Sequence, residues 1–258
     1  MHILLTNDDG IHAEGLAVLR RQFARHHSVT VVAPDSERSA IGHAITLRVP
    51  LRAETVGLAD TTQAWAVSGT PADCIKLALK ELMERPPDVV VSGINPGANV
   101  GANVNYSGTV AAAREAALAG VPAIAVSIQG RRPRHYAGAA RFVVKLAEEV
   151  HRRGLAEGTF LSVNFPDVPA REAGGVSISR QSTSLAAEHI DKRHDPYQRP
   201  YYWQYYRLPP RAAEAGTDTH AVFGRRVSVT PLKCDTTDYE TLEELKNWEL
   251  QGVFRQGR

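Results

Sequence analysis

Up to residue 165, short apolar runs rich in β-branched residues alternate with segments whose apolar side chains recur at helical spacing. Few folds accept that order. Consecutive parallel strands need a crossover, and a helix is the compact way to make one, so the pattern predicts a doubly wound, mostly parallel α/β sheet. The first unit is explicit. Residues 2–6 are apolar and end in the polar turn Asn7-Asp8-Asp9-Gly10. Leu16, Leu19 and Phe23 then recur at helical spacing, and residues 29–33 form a second β-branched run closed by Pro34-Asp35.

Later units vary the theme. Residues 44–68 hold short alternating segments (ITLRV, LRAETV, AWAV), read as a β excursion before the next helix. Thr70 is placed to cap that helix, Pro71 suits its first turn and Asp73 suits the positive end of its dipole. Ile75, Leu79 and Leu82 mark its expected buried stripe. Residues 88–91 read as a buried strand opening into a Gly/Asn-rich loop, SGINPGANVGANVNYSG. A helix over 109–118, a strand over 121–128, a helix over 134–151 and a strand over 160–165 follow.

Beyond that point the texture changes. Residues 170–215 are rich in Arg, Tyr, Pro and Gly, with YYWQYY at 201–206, and read as hairpin material outside the core. Residues 226–232 read as a strand and 239–250 as a closing helix. We therefore expect an α/β catalytic core over 1–169. Residues 170–258 would supply a hairpin extension, a final core strand and a C-terminal helix for oligomerisation.

Composition narrows the function classes. Of 258 residues, 43% are apolar and 22% charged, ordinary for a globular chain. The formal charge of +2 is too small to imply a nucleic-acid field. The longest apolar stretch, 118–128, is too short to span a bilayer. Cys74 and Cys234 form no C-x-x-C pair and read as inert thiols of a reducing compartment. The opening HILLTNDDG lacks the basic segment, apolar run and cleavage site of a signal peptide. The expectation is a cytoplasmic protein with no nucleic-acid and no membrane partner.

Ligands of open α/β sheets sit beyond the carboxyl ends of the strands. Asp8 and Asp9 follow the first strand, Ser39 follows the second after a short loop, and Asn95 follows the 89–91 run, so all four fall on one rim. Adjacent carboxylates repel unless a cation neutralises them, and hard oxygen donors suit Mg²⁺ or Mn²⁺ better than Zn²⁺. Taken alone, Asn7-Asp8-Asp9-Gly10 also fits a plain helix-capping turn; the second polar loop on the same rim favours the metal.

That second loop offers an anion site. Gly93, Gly97, Gly101 and Gly108 allow close backbone approach to a ligand. Ser107-Gly108-Thr109 stands before a helix, where amides and hydroxyls suit a phosphate, with ordinary capping as the alternative. The P-loop pattern is absent, no G-x-G-x-x-G follows the first strand, and the aspartyl-phosphatase D-x-D is not matched. His43, near Ser39, is a candidate for proton transfer or for simple packing. The aromatic run at 201–206 suits base stacking or hairpin and subunit packing. Lys192 and Arg193 read as a solvated pair or as steering charges for an anion.

These motifs resemble the SurE family of stationary-phase survival proteins, metal-dependent 5′/3′-nucleotidases. The resemblance runs through ILLTNDDGIHAEGL at 4–16, VVAPDSERSA at 31–40, SGTPADCIKLAL at 68–79 and SGINPGANVG at 92–101. It continues in YSGTV at 106–110, GVPAIAVS at 120–127, KRHDPYQRPYYW at 192–203, GTDTHAV at 216–222 and SVTPL at 228–232. It implies one divalent cation per subunit, Mg²⁺ or Mn²⁺, held by Asp8, Asp9, Ser39 and Asn95. It further implies a phosphate site at Asn99, Ser107, Gly108 and Thr109, nucleoside monophosphates and short polyphosphate as substrates, and a homodimer or homotetramer intertwined through the C-terminal region.

Departures are few. Ala40 stands where the family usually has Gly, Ala111 and Ala116 replace frequent glycines, and Tyr197-Gln198 interrupts a common D-P-R-G pattern. The expected reaction is direct attack by water with Asp9 as base; a covalent phosphate on Asp8 is the less favoured route. A nucleotide-sugar transferase using Asp8-Asp9 and a non-catalytic nucleotide sensor are the rival classes.

Overall fold

A computed structural model describes residues 1–58, 63–183, 187–207, 213–248 and 250. Its centre is a nine-stranded sheet. Strands β1 (His2–Thr6), β2 (Ser28–Pro34), β3 (Ala53–Thr55), β4 (Gln63–Val67), β5 (Val89–Pro96), β6 (Ala123–Ile128), β7 (Thr159–Phe165), β8 (Val176–Ile178) and β11 (Val227–Lys233) line up as β3-β4-β2-β1-β5-β6-β7-β11-β8. The stretch from β4 to β7 is parallel throughout. Strand β3 pairs antiparallel with β4, and β11 antiparallel with β7. Strands β9 (Ala187–His194) and β10 (Pro200–Arg207) form a separate antiparallel hairpin.

Four of the helices cover the sheet in pairs. Helices α1 (Glu14–Phe23) and α4 (Tyr136–Arg153) pack together on one face, and α2 (Pro71–Leu77) and α3 (Gly108–Leu118) on the other. Helix α1 buries Leu16, Leu19 and Phe23 as the spacing predicts. Truncating Leu19 or Phe23 to alanine should cost about 2–5 kcal/mol through lost burial and the cavity left behind. Helix α3 meets the sheet through Ala112, Ala113 and Ala116, small enough for close approach. Helix α2 starts in a capping box: Thr70 accepts from the Asp73 amide while Asp73 accepts from the Thr70 amide.

The chain winds from β1 outward through β2, then returns to place β5 on the other side of β1. The switch point therefore lies between β1 and β5. A crevice opens there at the carboxyl ends of the strands, which is where Asp8, Asp9 and Asn95 stand.

Several local expectations need correction. The stripe Ile75, Leu79, Leu82 holds in part: Ile75 is fully buried, while Leu79 and Leu82, on the π turn Ala78–Leu82 that continues α2, are half-buried and pack against the same core. ITLRV at 45–49 is no strand; Thr46 instead gives its amide to Asp73 Oδ1 at 3.0 Å. Residues 176–178 were expected outside the core, yet β8 pairs with β11 at the sheet edge. Helices α5 (Asp218–Phe223) and α6 (Tyr239–Lys246) complete the elements, the first unanticipated and the second shorter than expected. Glu249 of the expected 239–250 helix, the tail 251–258, and residues 184–186 and 208–212 of the expected hairpin region lie outside the described residues. Among the described residues, no helix is long and apolar enough to cross a membrane.

Candidate active site

The site starts with the turn after β1. The Asn7 carboxamide closes it, donating from Nδ2 to the Gly10 carbonyl at 2.9 Å and accepting the Gly10 amide on Oδ1 at 3.2 Å. Asp8 and Asp9 are held between these two anchors. Asp8 is only 6% exposed. Its Oδ2 accepts the Thr109 amide at 3.0 Å and its Oδ1 the Thr109 hydroxyl. Thr109 lies in the first turn of α3, so the carboxylate sits at the positive end of a helix. Gly108 permits this approach: a Cβ there would lie 2.9 Å from the Asp8 Cβ and 3.1 Å from Pro71 Cγ.

The loop after β2 is tied to the first. The Arg38 amide donates to the Asp8 carbonyl at 2.7 Å. The next residue, Ser39, is exposed and its hydroxyl donates to the Glu37 carboxylate. Asn95 ends β5 beyond a register shift between Ser92 and Asn95. Its Nδ2 donates to the Gly97 carbonyl at 2.7 Å, leaving the carboxamide oxygen as the atom for a cation.

Asn99 is held from below by the neighbouring strands. Its amide donates to Asn164 Oδ1 at 2.8 Å and its Nδ2 to Ser127 Oγ at 2.9 Å. Ser107 caps α3, accepting the Val110 amide at 3.2 Å.

Asp8, Ser39, Asn95, Asn99 and Ser107 line one cleft of about 650 Å³, joined on its wall by Tyr106 and Gln204. Asp9 flanks Asp8. Gly108 and Thr109 adjoin Asp8 and are not among the residues that line the cleft. Both Thr109 donors go to Asp8, because a buried carboxylate at a helix start captures the nearest amide and hydroxyl. A separate apolar cavity of about 200 Å³, between α4 and the end of β7, contains none of these residues. His43 is not on the cleft. Its Nε2 meets Glu115 at 2.8 Å, and Lys76 holds the other oxygen of Glu115 at 2.9 Å. Of the expected anion-steering pair, Arg193 contacts Asp191 at 3.4 Å.

Two contributors escaped the sequence reading. Asp218 of α5 is buried and pins the Gly-rich loop, accepting the Gly101 amide at 2.9 Å and the Ser182 amide at 2.9 Å. The available signal was Thr217-Asp218, a helix cap followed by a first-turn acid. Gln204 gave less warning, as the one carboxamide inside an aromatic strand.

Electrostatics single out the acid pair. Burial raises the Asp8 carboxyl above its usual range, against the two Thr109 hydrogen bonds. Burial, then the charges of Asp8 and Glu37, push Asp9 up to about 7. The Asp9 Oδ2 is buried and has no hydrogen-bond partner. A buried, unpartnered carboxylate oxygen beside a second carboxylate is costly unless a cation engages it. Among the described residues no group of three or more His, Cys, Asp or Glu is placed to hold a metal. The donors here are two carboxylates, a hydroxyl and a carboxamide, a hard-oxygen set that fits a small dication.

A family model described as Survival protein SurE matches residues 3–188. A 5′-nucleotidase SurE of Desulfatibacillum aliphaticivorans is 53% identical over 97% of this chain and 99% of its own length. One from Heliobacterium modesticaldum is 47% identical over 96% of this chain and 92% of its own. The crystal structure of a SurE protein from Aquifex aeolicus superposes with a TM-score of 0.84 at 38% identity, covering 95% of this chain and 98% of that one. On the match over 3–188 and the identity along nearly its whole length, the chain belongs to the SurE family.

Proposed function

We propose that this protein is a divalent-metal-dependent phosphomonoesterase that hydrolyses nucleoside 5′- and 3′-monophosphates, with short polyphosphate as a further substrate. The observation that carries the reading is the unpartnered, buried Asp9 oxygen beside Asp8 at the switch point of the sheet. The nucleotidase assignment draws on relatives named 5′-nucleotidase SurE. One Mg²⁺ or Mn²⁺ per subunit would be held by Asp8, Asp9, Ser39 and Asn95. When bound, it would offset charge on the transferring phosphoryl group and acidify a water molecule in the cleft.

The chain's own residues supply the rest. Thr109 fixes the orientation of Asp8. Asp9 takes the proton of the attacking water on the carboxylate oxygen that is not given to the cation. Asn99 and Ser107 position phosphate oxygens at the start of α3. In the same reading the protein is a homodimer or homotetramer joined through its C-terminal region, where Trp203, Tyr239 and Trp248 are exposed.

The test is phosphate release from AMP, 3′-AMP and tripolyphosphate with Mn²⁺, with Mg²⁺ and with a chelator. Release that needs the metal is expected. Binding of AMP without release would make the protein a sensor, and turnover confined to a nucleotide-sugar donor would make it a transferase; either result rejects the reading.

A further inference from the structure

The cleft is larger than a phosphate requires. At about 650 Å³ it falls within the roughly 300–1,000 Å³ typical of pockets that enclose whole small molecules. Its lining also changes character. The floor is Asp8, almost fully buried, whereas Tyr106 on the wall is 46% exposed. Among the described residues Asp8 is the one charged side chain of the lining; the other polar groups are hydroxyls and carboxamides. Two of those carboxamides, Asn95 and Asn99, are already engaged by Gly97 and Ser127.

Gln204 is placed differently. It comes from β10, opposite Ile190 on the hairpin, and not from the sheet that carries the acids. Strand alternation puts it on the face opposite its neighbours Trp203 and Tyr205. A single carboxamide from an otherwise aromatic segment thus lines the same cleft as a phenol ring. A carboxamide offers one donor and one acceptor side by side, the pattern that the edge of a nucleobase presents. An exposed tyrosine ring offers a face for stacking.

We propose that Tyr106 and Gln204 form the nucleobase subsite of the cleft, Tyr106 against the face of the base and Gln204 on its hydrogen-bonding edge. This rests on the nucleotidase reading and adds the part of the substrate that is recognised away from the phosphate. Because the carboxamide can rotate to match either polarity, the subsite accepts several bases. The larger purines gain most from the ring.

The experiment compares kcat/KM for AMP with kcat/KM for ribose 5-phosphate, which lacks the base, in the full-length protein with Mn²⁺. Wild type should prefer AMP. Tyr106→Ala should lower the AMP to ribose 5-phosphate ratio by about tenfold, mainly through KM, given what base–aromatic stacking contributes. Gln204→Ala should lower the ratio less, and Tyr106→Phe should retain most of it. Equal losses on both substrates, or an unchanged ratio in both alanine variants, would overturn the subsite while leaving phosphatase activity in place. A wild type that turns over ribose 5-phosphate as well as AMP overturns it too. Failure of the wild type on both substrates would instead defeat the nucleotidase reading, and the subsite with it.

Discussion

The two loops that meet at the switch point are built in opposite ways. The loop after β1 is mostly buried and its first acid is fully bonded: Asn7 closes the turn, and both Asp8 carboxylate oxygens are held by Thr109. The loop after β2 carries Ser39 in the open, tied by its hydroxyl to an exposed Glu37, and passes through Ala40 at a φ of 53°. Asp8 is preorganised by buried bonds, while the second loop bonds its side chains at the exposed surface and holds a backbone angle that suits glycine better than alanine. In the proposed reading this is a division of labour: Asp8 is placed by the fold, whereas Asp9 and Ser39 would be completed by the cation.

The sharpest way to break this comparison is Asp8→Asn. It removes the charge that the fold is organised to hold, and metal-dependent phosphate release should fall on the order of 10³-fold or more. Near-wild-type turnover would place the metal elsewhere. Next in size is Thr109→Val, which keeps the shape and deletes the hydroxyl donor to Asp8. Removing such an outer partner of a ligand typically costs ~10–100-fold in metal affinity or activity. A Mn²⁺ titration of activity measures it, and an unchanged half-saturation point would show that Asp8 needs no positioning.

A third prediction concerns the metal-free protein in chelator. Asp9 has its folded pKa raised to about 7 from the ordinary 3.8. A carboxyl so raised binds its proton more tightly when folded, so the folded state loses stability as pH rises from about 4 to 7, and the loss is complete above that. Asp9→Asn should therefore have a higher Tm than wild type at pH 8, by a few °C given ~2–4 °C per kcal/mol for a chain of this size. The two should converge near pH 4. Saturating Mn²⁺ should reverse the order at pH 8. A constant Tm difference across pH would sink the view that Asp9 carries an uncompensated charge.

The smallest effect belongs to the strained loop. Ala40→Gly relieves the left-handed backbone but adds freedom to the unfolded chain, so the two contributions, each about 1 kcal/mol, largely offset. A Tm within about 3 °C of wild type is expected, together with a change in metal half-saturation, since the residue adjoins Ser39. A large loss of stability would mean that alanine is not strained there.

The period-2 and period-3.6 patterns made the alternation of strands and helices legible, and the carboxyl-end rule puts Asp8, Asp9, Ser39 and Asn95 on one rim from the sequence. Those are local signals, written in neighbouring residues. Gln204 and Asp218 were not legible because each acts on segments about a hundred residues or more away, and only pairing of the strands and docking of α5 bring them there. The regular period over Ile75, Leu79 and Leu82 gave no sign of the π turn at Ala78–Leu82, which leaves the two leucines half-buried against the core.

The chain's order of apolar and polar residues thus settled the class of fold and which polar residues follow the strands at its rim. Tertiary structure decided what each rim residue touches. It turned Thr109 onto Asp8 and left one Asp9 oxygen without a partner, because burial and the competition for hydrogen bonds are properties of the assembled site and not of any segment of the sequence.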